Sequence, residues 1–120
     1  MTLTDRVVLV TGGAKRIGGA IALALAQRGA RVVISYRTSA QDARRSLRRL
    51  AALGAQPAAI RADVTREADV RRLIATIRRQ YGRLDVLVNS ASNFARAPFA
   101  SLRRQDWDVS IATNLTGPFL

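Results

Sequence analysis

Arg6-Val7-Val8-Leu9-Val10-Thr11-Gly12-Gly13-Ala14-Lys15-Arg16-Ile17-Gly18 is an apolar, largely β-branched run that stops on two glycines and resumes with a different period. The run from Arg6 to Val10 reads as a strand and Gly12-Gly13 as a tight turn. From Arg16 onward Ile17, Ile21, Leu25 and Arg28 fall at helical spacing. Gly29 then stands where a helix end takes a left-handed residue. A glycine-rich turn between strand and helix lets backbone N–H groups approach a pyrophosphate and aims the helix N-terminus at it. A generic strand–helix turn that happens to hold glycines is the competing reading. Position favours the first, because the turn follows the first strand and opens the first helix, where a dinucleotide fingerprint belongs.

The same alternation continues outward from this stretch. Arg31 to Tyr36 is a second strand, and Ser39 can cap a helix whose apolar stripe is Ala43, Leu47 and Leu50, with Gly54 as its terminator. Pro57 to Arg61 is a third strand. Thr65 opens a helix with Glu67 and Asp69 in the first turn, where carboxylates favour the helix dipole. Its stripe is Val70, Leu73, Ile74, Ile77 and Tyr81, and Gly82 ends it. Leu84 to Asn89 is near-continuously apolar, the pattern of a strand covered on both faces. After a loop through Pro98, Trp107 to Leu120 reads as a further helix. Strands separated by helices must run parallel with right-handed crossovers. The expectation is an α/β fold: a doubly wound parallel sheet in three α-β-α layers, cut after about four strands and the start of the following helix. Residues 1–120 form one nucleotide-binding domain on this reading. Gly117-Pro118-Phe119-Leu120 carries no helix stop, so the chain is expected to be an N-terminal portion lacking a catalytic C-terminal part. In that state Val86 and Val88, or Leu84 and Leu87, are expected to be exposed and prone to association.

Composition narrows the function classes. The 120 residues hold no His and no Cys, which removes Ser-His-Asp chemistry, disulfides, thiol nucleophiles and zinc–thiolate sites, and no metal site is expected. The net charge of +12 invites a nucleic-acid reading. Its carriers are arginine doublets at helix spacing, such as Arg44-Arg45 and Arg48-Arg49, which is how a solvated helix face looks. Aromatics make up only 5%, too few for a base-stacking surface, so no dedicated nucleic-acid partner is expected. No apolar run approaches the ~18 residues of a membrane span. The chain is therefore expected to be soluble and cytoplasmic, with no membrane partner.

Three later stretches repeat the message of the first turn at the ends of strands, where open α/β sheets bind ligands. Asp63-Val64 follows the third strand, where a carboxylate can accept from an adenine amino group; a plain surface Asp is the alternative. Asn89-Ser90-Ala91-Ser92 closes the fourth strand, where short polar side chains can pin the loop and face a nucleotide. Asn114 is a polar residue within an otherwise apolar helix, and a lone helical Asn is commonly structural. At the end of the second strand an NAD enzyme keeps an acidic residue for the ribose 2′-hydroxyl. Here stand Tyr36, Arg37, Thr38 and Ser39, a guanidinium and hydroxyls that suit a 2′-phosphate.

As an ordered set, Thr-Gly-x-x-x-Gly-x-Gly, Asp-Val, Asn-x-Ala and a helical Asn resemble the short-chain dehydrogenase/reductase family over the whole chain. The resemblance implies a Rossmann-type fold and an NADP(H)-dependent oxidoreductase. Thr11, Gly12, Lys15, Arg16, Ile17, Gly18, Tyr36, Arg37, Thr38, Ser39, Asp63, Val64, Asn89, Ser90, Ala91 and Ser92 would bind the cofactor. Asn114 would be the one catalytic-site residue present, anchoring a water in a proton relay. One position departs from the family: its second glycine is Arg16 here. Lys15-Arg16 with Ser92-x-Phe94 is similar to the pteridine reductase branch, in which Arg16, Ser92 and Phe94 would touch a pterin-like substrate. A reductase of 3-oxoacyl thioesters or other carbonyl compounds is the alternative, and a non-catalytic nucleotide-binding fragment is another. The family's Ser and Tyr-x-x-x-Lys would lie beyond residue 120, since neither Tyr36 nor Tyr81 supplies that motif, and the 120 residues alone are expected to be inactive. A full-length form is implied to be a homo-tetramer or dimer.

Overall fold

The computed structural model describes residues 2–120. The elements alternate as β1 (Val7–Thr11), α1 (Arg16–Gln27), β2 (Arg31–Tyr36), α2 (Ala40–Ala52), β3 (Ala58–Arg61), α3 (Glu67–Tyr81), β4 (Val86–Asn89) and α4 (Arg104–Ile111). The strands form one parallel sheet in the order β3-β2-β1-β4. The chain thus steps outward from β1 to β2 and β3, then crosses back to place β4 on the other side of β1. That reversal opens a crevice between the carboxyl ends of β1 and β4.

The period of two along β1 and β2 divides the core between the two faces of the sheet. Val8, Val10, Val32 and Ile34 pack with Ala22 and Ala26 of α1 and Leu50 of α2. Val7, Leu9 and Val33 face the opposite way and pack with Leu73 and Ile77 of α3. Alanines at the buried positions of α1 let the helix sit close to the sheet. The three expected terminators hold, since Gly29, Gly54 and Gly82 all have positive φ directly after their helices.

Several expectations need correction. Ile17 begins the predicted apolar stripe of α1 but is 75% exposed and lines the cleft at the strand ends instead of joining the core. Ile74, likewise assigned to the α3 stripe, is 41% exposed. Ser39 stands at the N-cap of α2 without donating or accepting a side-chain capping bond. Thr65 does not cap α3, whose N-cap is Arg66. β4 is not covered on both faces: it pairs with β1 alone and Leu87 is exposed, whereas Leu84, expected to share that exposure, packs partly buried against the α3-side core.

The last helix differs most. α4 starts three residues before the predicted Trp107, because Asp106 reaches back to accept the Arg103 N–H at 2.9 Å and seeds the first turn. A π-helical turn follows over Ala112–Thr116, then a single turn at Gly117–Phe119. Pro118 cannot donate to the carbonyl of Asn114, and the wider turn, with Gly117 N–H on the Ala112 carbonyl, accommodates the missing donor. α4 buries no residue; Trp107, Leu115 and Phe119 stay exposed.

A charge immediately before β4 explains how the edge strand is held. Asp85 Oδ2 accepts the Val7 N–H at 2.8 Å, the Asp85 N–H donates to the Val7 carbonyl at 2.9 Å, and Arg83 donates to Oδ1 at 2.6 Å. The Arg83 bonds first, and the Val7 N–H second, hold its carboxyl below the ordinary carboxylate range. A depressed folded pKa stabilises the fold above the unfolded value of about 3.9 and is lost as pH falls through the folded one. Asp85→Asn is therefore expected to lower the denaturation midpoint at pH 7 and to converge with the parent as pH falls through the folded-state pKa of Asp85, measured by urea unfolding across pH.

Candidate functional site

The crevice at the strand ends is a cleft of about 580 Å³, within the range of small-molecule sites. Four separate stretches line it: Gly12 to Gly18 from the β1–α1 turn, Ser35 to Ser39 from the end of β2, Ala62 to Val64 after β3, and Ser90 to Phe94 after β4. The four motifs read from the sequence converge on one space. Thr11, Asn89 and Asn114 are the three predicted site residues that do not line it.

The β1–α1 turn is built around absent side chains. Gly12 has φ +62, and a Cβ there would come within 2.8 Å of the Ala91 backbone. A Cβ on Gly18 would overlap the carbonyl oxygen of Gly12. Arg16, in contrast, carries a full side chain at φ 54, in a region that costs a non-glycine residue about 1–2 kcal/mol. Lys15 and Arg16 are both exposed at the cleft, and Lys15 Nζ lies 3.8 Å from Asp42 of α2.

Thr11 works from behind. Its buried Oγ1 accepts the N–H groups of Ser90 and Ala91, both at 3.1 Å, and so ties the loop after β4 to the end of β1. Thr11→Val keeps the shape but strands both donors, and unfolding by urea is expected to show a loss of about 1–3 kcal/mol. Unchanged stability would mean that other partners satisfy them.

Asp63 Oδ1 accepts from both the N–H (2.9 Å) and the hydroxyl (2.7 Å) of Thr65. Burial opposes its ionisation, but the Thr65 bonds and the Arg37 and Arg66 guanidiniums outweigh it, and its carboxyl stays below the usual range. The carboxylate therefore remains an acceptor at neutral pH. Thr65 does not itself line the cleft but fixes the Asp63 carboxylate, and a Thr two places after an Asp is a recognisable turn signal.

Asn114 faces the loop after β4 rather than the cleft. Its Oδ1 accepts the Asn93 N–H at 2.8 Å and its Nδ2 donates to the Asn93 carbonyl at 3.0 Å, from within the π-helical turn. Its neighbour Thr113, not singled out from the sequence, lines the cleft instead. Phe94 lines the cleft and is 85% exposed.

A profile described as short chain dehydrogenase matches residues 6–120. The chain belongs to the short chain dehydrogenase family. It is 39% identical over 118 residues to a 3-oxoacyl-[acyl-carrier-protein] reductase of Synechocystis sp., covering 98% of this chain and 48% of that protein. A short chain dehydrogenase from Burkholderia cenocepacia in complex with NADP superposes with a TM-score of 0.93 at 35% identity, over 99% of this chain and 49% of the other. The Pseudomonas aeruginosa RhlG/NADP active-site complex gives 0.89 at 37% identity, over 98% and 45%. The chain thus spans about half the length of these family members. Among the described residues no helix is long and apolar enough to cross a membrane.

The residues present fit a dinucleotide with a 2′-phosphate. The two glycine positions leave room for a backbone approach that a Cβ would fill, and Arg37, Thr38 and Ser39 share the cleft with the ionised Asp63.

Proposed function

We propose that this chain is the NADP(H)-binding part of a reductase acting on carbonyl compounds, with 3-oxoacyl thioesters as the leading substrate class. One observation carries the cofactor: the cleft wall at the end of β2 offers Arg37, Thr38 and Ser39 and no carboxylate. The bound cofactor would supply the hydride. Gly12, Lys15, Arg16, Ile17 and Gly18 would cradle the pyrophosphate beside the α1 N-terminus. Tyr36, Arg37, Thr38 and Ser39 would take the 2′-phosphate end and Asp63-Val64 the adenine. Ser90, Ala91 and Ser92 would border the nicotinamide side, with Thr11 and Asn89 holding that wall from the strand ends. Asn114 would contribute by fixing Asn93 at the same wall. The complexes with NADP among the similar structures support the cofactor, and the identity to the Synechocystis reductase supports the substrate class.

A pterin-like substrate is the second reading, favoured by Arg16, Ser92 and Phe94 lining one cleft with Phe94 exposed. The 120 residues contain no Tyr-x-x-x-Lys, so turnover is proposed to need residues beyond them. In a protein extended to the length of its relatives, NADPH oxidation is expected with a 3-oxoacyl thioester and to survive Phe94→Ala. Stacking on Phe94 would add about 0.5–1.5 kcal/mol to a flat ring. Turnover of a dihydropterin alone, weakened about 2- to 12-fold in KM by Phe94→Ala, would establish the second reading instead.

A further inference from the structure

The phosphate loop is held from a helix that no motif includes. Ser46, in the second turn of α2, donates its hydroxyl to the Ala14 carbonyl at 2.6 Å across 32 residues of sequence. Asp42, four residues earlier and therefore on the same helix face, reaches Lys15 Nζ at 3.8 Å. α2 thus grips two consecutive residues of the turn. It is also the helix that begins directly after Arg37, Thr38 and Ser39.

From this geometry we infer that Ser46 is a positioning residue for the cofactor pyrophosphate. The inference rests on the NADP(H)-binding reading of the cleft and deepens it. A trans peptide sets the Lys15 N–H opposite the Ala14 carbonyl, and the described residues contain no cis bond. Anchoring the carbonyl on α2 therefore turns the Lys15 N–H away from α2, and Lys15 itself lines the cleft. That N–H has no partner among the described backbone bonds, whereas the Lys15 carbonyl accepts from Gly19 at 3.0 Å. An N–H so fixed is a donor for an anion at the start of α1. Without the Ser46 hydroxyl the Ala14–Lys15 peptide is free to rotate, and a left-handed Arg16 immediately after it gives the chain reason to do so.

The test is titration of the 120-residue chain and of its Ser46→Ala and Ser46→Thr variants with NADPH and with NADH, followed by calorimetry. The Lys15 and Arg16 amide resonances are recorded without ligand. Ser46→Ala is expected to weaken both cofactors by the same factor, roughly 2- to 12-fold for one hydrogen bond. It should also displace the Lys15 amide, and Ser46→Thr should recover most of both effects. Parent-like affinity for both cofactors would overturn the inference and leave the cofactor reading standing. A loss confined to NADPH would also overturn it, since Ser46 would then act on the 2′-phosphate end. Failure of the parent chain to bind either cofactor would sink the cofactor reading; a displaced Lys15 amide would still establish Ser46 as what sets the loop, and an unmoved one would refute it.

Discussion

Gly18→Val is expected to destabilise the fold by about 1–3 kcal/mol through overpacking and to weaken NADPH binding by deforming the turn. The added Cβ would overlap the Gly12 carbonyl oxygen and sit 3.0 Å from Ser90 Oγ. Neither neighbour can retreat: Gly12 lies against the Ala91 backbone, and the Ser90 N–H is fixed by Thr11. The loop must open to admit the side chain, and its N–H groups then cease to converge. Gly19→Ala, one position along, is the control. A Cβ there meets its nearest atom at 3.6 Å, and removing a helical glycine stabilises by about 1 kcal/mol. Calorimetric titration and thermal melting of both variants separate the outcomes. Parent-like binding by Gly18→Val would show that the turn does not contact the cofactor.

Tyr36→Asp combined with Arg37→Ala is expected to invert cofactor preference. Loss of a charge-assisted contact to the 2′-phosphate costs about 1.5–3 kcal/mol, or roughly 10- to 150-fold. The new carboxylate would add repulsion against the phosphate and a partner for a ribose 2′-hydroxyl. NADPH should therefore weaken while NADH gains. If NADPH affinity is the same before and after, the 2′-phosphate is read elsewhere. Arg61 is near enough to matter to that result, since its Nε donates to the Arg37 carbonyl at 3.2 Å and steadies the segment.

The parts of this fold that show in the sequence are those with a period or a punctuation mark. Val7 to Val10 and Arg31 to Tyr36 alternate between two cores, and Gly29, Gly54 and Gly82 each mark a helix end by a backbone angle that other residues resist. The cleft was legible for a related reason: its residues cluster immediately after strands, and a parallel sheet brings all such ends to one edge. What escaped depends on distance in sequence. The Ser46–Ala14 bond spans 32 residues and the Thr11 bonds to Ser90 and Ala91 span 79 and 80, and no local pattern announces them. Ile17 misled because helical spacing says which residues share a face, not whether that face meets the core or an open cleft. One miss had a visible signal: Asp85 is a lone carboxylate in an apolar run. Pro118, which a helix interior tolerates only with a distortion, sits four residues after Asn114, and the distortion takes the form of a π turn.

The central claim is that the end of β2 reads a 2′-phosphate, and two ligands that differ only in that group test it. Adenosine 2′,5′-bisphosphate and 5′-AMP would both enter the cleft beside Arg37, Thr38, Ser39 and Asp63. Titrated into the chain at constant ionic strength, the bisphosphate is expected to bind about 10- to 150-fold more tightly. Equal affinity, or tighter binding of 5′-AMP, would contradict the account.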